Sequence, residues 1–194
     1  MTDAGCVSPL STADIADYWS HDLPREEVDR IDDHVFQCAG CAKRLAEGEA
    51  LARGIADLVR EGRFQSIITE GLLNRLSRDG VRIRTFAIGP GETVPCGVWQ
   101  DDDLVVARIR ADLEGLDAVT LVTRLASGEE ISRFADIRVK PGQREIIRAT
   151  SAALLRRLPA VHVHMTLSSG AGPDQRTIGE YVLEHGGAFT RDAR

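Results

Sequence analysis

The chain has 194 residues, 43% hydrophobic and 28% charged, which suits a soluble globular protein of one large or two small domains. No apolar run approaches the ~20 residues that cross a bilayer, and Met1 to Ser20 lacks the basic and apolar regions of a secretory signal, so the expectation is a cytoplasmic protein with no membrane partner. Residues 1–79 hold 15 acids and 9 bases and residues 80–194 hold 15 of each, so the whole net charge of −6 lies in the first half; an acidic surface repels phosphate backbones and argues against direct DNA binding.

Ser11 and Thr12 cap a short helix running to about Ser20, with Ile15, Ala16, Tyr18 and Trp19 on its apolar side. Pro24 opens a second helix, with Glu26, Glu27 and Asp29 where the macrodipole favours acids. Val28, Ile31, Val35 and Cys38 recur on one face of it, and Gly40 bends or ends it. A third helix is expected from about Ala42 to Glu61, weakened at Gly48 and Gly54 by about 1 kcal/mol each and closed by Gly62. A fourth, from about Ser66 to Arg78, carries Ile68, Leu72, Leu73 and Leu76, and Gly80 fits the residue just past its C-cap. Helices this short bury little apolar surface, so a metal staple makes physical sense.

At Gly80 the hydrophobic period changes from 3.6 to 2. Runs near 81–84, 105–111, 119–125, 131–139, 144–149, 160–168 and 177–185 alternate, with turns at Gly89-Pro90-Gly91, Ser127-Gly128 and Lys140-Pro141-Gly142. Thr150 to Leu158 leaves room for a single helical turn. Seven or eight strands at this spacing predict an antiparallel sandwich. The expected architecture is therefore multidomain, α then β: a zinc-stapled four-helix module at 1–79, then an antiparallel β-sandwich at 80–194.

The densest chemistry is His34-Val35-Phe36-Gln37-Cys38-Ala39-Gly40-Cys41. Histidine and two cysteines at i, i+4 and i+7 share a helix arc of roughly 60°, and if the helix breaks, Cys38 and Cys41 form a C-x2-C knuckle. Either geometry offers three of the four ligands of a closed Zn²⁺ site. In a reducing compartment this spacing reads as metal before disulfide.

Elsewhere the signals are weaker. His162 and His164 share one face of a strand and read as a solvated face opposite Val161, Val163, Met165 and Leu167. Asp101, Asp102 and Asp103 read as a turn cap, because the EF-hand spacing is missing. Cys96 reads as a lone core thiol. Without a G-x-S-x-G, P-loop or G-x-G-x-x-G motif the chain is not expected to be an enzyme.

Residues from about Ile15 to Leu45 resemble the zinc-containing anti-sigma factors, which show a short helix with a central tyrosine, a loop and a helix ending in H-x3-C-x2-C. Tyr18, His34, Cys38 and Cys41 stand in those places. The resemblance implies a bound Zn²⁺ and a domain that clamps an alternative sigma factor and blocks its access to RNA polymerase. The family's further ligand precedes the first helix, which points to Cys6, with His21 or a water as rivals. Leu51, Ile55, Leu58, Leu72, Leu73 and Leu76 are then the expected partner surface, or else the module's own core. The chain departs from the family at Ser20-His21-Asp22-Leu23, where a Gly-containing loop is usual, and it shows neither a membrane helix nor a cupin metal motif. The β-domain is expected to sense, to dock or to form a homodimer. The competing reading is a zinc-stapled adaptor or ligand-binding module without a sigma partner.

Overall fold

The computed structural model describes residues 6–21, 23–170 and 172–189. The chain forms two compact units that interleave in sequence. One comprises residues up to Leu58 together with Thr69–Val81, and the other Val59–Ile68 together with residues from Arg82 onward. The expected single division at 79/80 lies near the last crossing, but the chain also visits the second unit earlier.

Helices α1 (Thr12–Ser20), α2 (Arg25–Gln37), α3 (Ala39–Arg60) and α4 (Glu70–Arg78) lie close to the expected four. Ser11 caps α1 through a capping box with Asp14: its hydroxyl accepts from the Asp14 amide at 3.0 Å, and the Asp14 carboxylate accepts from the Ser11 amide at 2.7 Å. Pro24 stands at the N-cap of α2. Gly48 on α3 is a packing device: a Cβ there would lie 2.8 Å from the Ile15 side chain of α1. The helical cost of this glycine permits close approach of two helices.

The expected fourth helix starts too early. Gln65–Ile68 is strand β1, and α4 begins after Thr69, whose hydroxyl accepts from the Leu72 amide at 3.2 Å. Local sequence leaves Ile67 and Ile68 ambiguous, and hydrogen bonding to a distant strand decides them. At its other end α4 closes in a Schellman motif. Gly80 N–H donates to Ser77 C=O at 3.1 Å and Val81 N–H to Leu76 C=O at 3.0 Å. Gly80 has φ +80°, so Gly80→Ala is expected to cost about 1–2 kcal/mol, read as a lower urea midpoint with unchanged slope.

The second unit holds nine strands among the described residues. Sheet A has the order β1–β7–β4–β2, with β2 at Ile83–Ile88, β4 at Leu104–Arg110 and β7 at Glu145–Ser151. Sheet B runs β3–β9–β8–β5–β6, with β3 at Thr93–Trp99, β5 at Ala118–Leu125, β6 at Glu130–Arg138, β8 at Val161–Ser169 and β9 at Arg176–Phe189. One hydrophobic cluster takes residues from both sheets, with Val105, Ile109 and Ile146 from one and Val98, Leu121, Met165 and Leu167 from the other. The expected all-antiparallel arrangement is corrected at two places: β2 pairs parallel with β4, and β3 pairs parallel with β9. Between β2 and β4 the chain leaves for the other sheet as β3, so it returns in the same direction. Parallel neighbours need such a crossover, and period-2 alternation carries no information about direction. The single turn expected after Thr150 is α5, Ala152–Leu155.

Tyr181 is 1% exposed and its hydroxyl donates to Arg110 C=O at 2.8 Å. Burial pushes its phenol up to about 12. Tyr18, in the helical unit, donates to Asp32 Oδ1 at 2.6 Å, and that carboxylate also pushes it to about 12. These are the two tyrosines of the chain. Their absorbance at 295 nm is expected to stay flat through pH 11 in the native protein and to titrate near 10 in denaturant. The unfolded chain loses these protons first, so stability falls as pH rises from about 10 to 12.

Candidate functional site

The break between α2 and α3 falls at Cys38, two residues before the expected Gly40. Cys38 N–H donates to His34 C=O at 2.9 Å, ending α2, and Cys38 C=O accepts from the Ala42 amide at 2.9 Å, starting α3. Its backbone is extended, at φ −122° and ψ 99°. Cys38 is therefore the C-cap of one helix and the N-cap of the next. This kink turns the chain so that His34 in the last turn of α2 and Cys41 in the first turn of α3 address one point.

Cys6 joins them from the segment before α1. Its sulfur lies 3.4 Å from His34 Nε2 and 3.9 Å from Cys41 Sγ. The donor atoms of Cys6, His34, Cys38 and Cys41 all lie within 4.8 Å of one another. A tetrahedral ion with thiolate bonds of ~2.3 Å needs sulfur–sulfur edges of about 3.8 Å, so the spacing suits a metal ion held by three thiolates and one imidazole. His21, a rival for the fourth place, is not in this group; it ends α1 with a left-handed backbone at φ 58°.

The surroundings favour thiolate at Cys38. The Cys41 amide directed at the Cys38 sulfur holds that thiol below its usual range, and the Gly40 amide adds to it. This is the N-terminus of α3, where unpaired N–H groups and the dipole stabilise negative charge. Desolvation pushes the Cys6 thiol up. Cys41 is fully buried and clusters with Leu10, Ile15 and Ile31, with Cys6, Cys38, Val35 and Leu45 packed around them. The donors thus sit inside the small core of the helical unit, and an ion there would tie its N-terminal segment, α2 and α3 together.

The expected partner surface divides. Leu73 and Leu76 are 7% and 0% exposed and belong to the core, as the 3.6-residue period of a four-helix unit allows. Leu72 and Ile55 are half-buried. Leu51 and Leu58 are 69% and 37% exposed, one face of the second half of α3. Phe36, between His34 and Cys38, is 93% exposed and was not singled out, because it lies off the Val28, Ile31, Val35 stripe.

The remaining motifs resolve as structure. His162 and His164 are exposed while Val163, Met165 and Leu167 are buried, as alternation predicts. Asp102 accepts from the Trp99 amide at 2.8 Å and pairs with Arg84 at 2.6 Å. Asp103 pairs with Arg82 at 2.8 Å. Two of the three carboxylates of this acidic turn, those of Asp102 and Asp103, are taken by arginines, as expected of a structural turn.

Sequence reasoning missed Arg148 and His185. Both lie in interior strands, 6% and 4% exposed. Arg148 Nε and both ring nitrogens of His185 have no hydrogen-bond partner among the described residues, and each such atom costs about 1–3 kcal/mol when left unpaired. A single charge in an apolar strand usually signals the solvent face, so no local pattern marks Arg148 as buried.

The residues define a two-unit chain: helices built around a Cys₃His donor cluster, and a mixed two-sheet β unit. No helix is long and apolar enough to span a membrane among the described residues. No family model and no curated protein matches the chain. Among solved structures it is similar to the N-terminal domain of phage TP901-1 ORF48, with a TM-score of 0.34 and 9% identity over 54% of this chain and 98% of that one.

Proposed function

We propose that the chain is a zinc-dependent anti-sigma factor of the cytoplasm, whose helical unit sequesters an alternative sigma factor and so regulates transcription initiation. The observation that carries this reading is the convergence of Cys6, His34, Cys38 and Cys41 from three segments on one point. Three thiolates and an imidazole select Zn²⁺ over the hard cations, and a closed four-donor set suits a structural ion. The ion's part is to hold the helices as a docking platform. Around it, Tyr18 fixes α1 to α2 through Asp32, and Arg75 of α4 stacks on Trp19 of α1 at 5.8 Å.

The docking face in this reading is Leu51, Ile55 and Leu58 of α3, in the half of the sequence that carries the whole net charge of −6. A sigma factor is a DNA-binding protein and carries the basic surface that such a face attracts. The two sheets then form a β-sandwich that senses, docks or pairs with a second copy.

Co-expression with the sigma factor encoded beside it is expected to give a one-to-one complex on size exclusion. Leu51→Glu with Leu58→Glu is expected to abolish that complex while zinc content and helicity stay unchanged. A complex that survives the double substitution counts against this face, and no complex with any neighbouring sigma factor counts against the reading itself.

A further inference from the structure

The β unit contains a cavity of about 190 Å³ that the helical unit does not contribute to. Sheet A supplies Arg148 and Thr150 from β7 to its wall. These residues are two apart and so lie on one face of the strand. Sheet B supplies Cys96 and His185, which are register partners across β3 and β9. Leu154 and Leu155 of α5, with Leu183 and Val163 of sheet B, line much of the rest.

Several polar atoms of this wall have no partner among the described residues: Arg148 Nε, Thr150 Oγ1 and both nitrogens of His185 are buried without a hydrogen bond. Arg148 is influenced by Cys96 but by no carboxylate among the described residues. Folded proteins pair nearly all their buried polar groups, and a buried guanidinium needs a counter-charge. Three such side chains on one cavity, one of them cationic, describe a ligand's functional groups in negative image.

We infer that this cavity binds a small organic monocarboxylate with a compact apolar body, its carboxylate on Arg148 and its body against the leucines. The guanidinium offers a planar fork that matches a carboxylate bidentately. Thr150 and His185 add a hydroxyl and an imidazole to the same cavity wall. One fixed cation in an aliphatic chamber matches a monoanion better than a phosphate dianion. In size, a 150 Å³ apolar cavity accepts benzene, so this one of about 190 Å³ accommodates a slightly larger ligand, of roughly eight heavy atoms. The inference stands apart from the sigma reading, although such a ligand would be a signal for the β unit to report.

The test is calorimetric titration of the full zinc-loaded chain with benzoate, and with benzyl alcohol and phenyl phosphate as neutral and dianionic counterparts. Saturable binding of benzoate, at least tenfold tighter than benzyl alcohol, is expected. Arg148→Met should remove that preference while the protein stays folded. Leu155→Trp, which fills the chamber and leaves Arg148 in place, should abolish binding of both probes and serves if Arg148→Met fails to fold. Equal affinity for benzoate and benzyl alcohol, tighter binding of phenyl phosphate, or no benzoate binding at millimolar concentration by folded protein overturns the inference. Sigma binding does not enter the readout, so failure here leaves the proposed function untouched.

Discussion

Protein purified without chelator is expected to carry one zinc ion per chain, and stripping it with EDTA to abolish most of the helical circular dichroism contributed by α1, α2 and α3. The reason lies in the size of the apolar cluster around the donors. Leu10, Ile15 and Ile31 are the aliphatic residues buried with Cys41, and each contributes about 1.5–3 kcal/mol. A structural zinc ion contributes an apparent ~10–16 kcal/mol at neutral pH, so the ion dominates. Cys41→Ser should be the most damaging single change, because it places an unmatched hydroxyl at a fully buried position. Cys6→Ser should be milder: it frees the N-terminal segment and leaves the His34, Cys38, Cys41 set. The ligands must be deprotonated, so acid competes with the ion and zinc affinity falls as pH drops. Stoichiometric zinc with helicity unchanged in EDTA would remove the ion from its structural role. Absence of zinc would remove the metal centre altogether.

Arg148→Met is expected to stabilise the unliganded chain, by about 1–4 kcal/mol in urea denaturation. Most buried substitutions destabilise, so the sign is the informative part. Methionine keeps much of the arginine stem and discards a charge that no carboxylate compensates among the described residues. Desolvation lowers the guanidinium to about 10, so it is still cationic at neutral pH. The folded value lies below the unfolded one, so above about 10 the unfolded chain binds more protons. Stability from this group therefore rises with pH across that window, opposite in sign to the tyrosines. The methionine variant should lose this rise, visible as a steeper alkaline decline than wild type. A variant less stable than wild type by more than 1 kcal/mol would mean that Arg148 has a compensating partner in solution.

Several elements were legible because their determinants are local. The capping box at Ser11, the acid-rich first turn after Pro24 and the glycine beyond α4 each act within one helical turn. The alternation around His162 and His164 placed the histidines outside and Met165 inside. In the donor cluster, His34, Cys38 and Cys41 were readable because three residues within eight positions share a face whether the helix bends or breaks. Cys6 needed the chain's return path, which spacing does not encode, and its place came from the family resemblance.

Other features depended on partners far along the chain. Ile67 and Ile68 could extend a helix or form a strand, and hydrogen bonds to Arg148 and Ile147 of β7 made them a strand. The parallel pairs β2 with β4 and β3 with β9 follow from the path between sheets, which alternation does not report. Which leucines face solvent was also undecided: one apolar period served Leu76 in the core and Leu51 at the surface. The sequence by itself determined the helical and strand-forming stretches, the acidic first half and three members of the Cys₃His cluster, since each depends on neighbours within a turn or a strand. Tertiary structure alone decided the strand directions and the burial of Arg148 and His185, because these depend on which distant segments come to lie side by side.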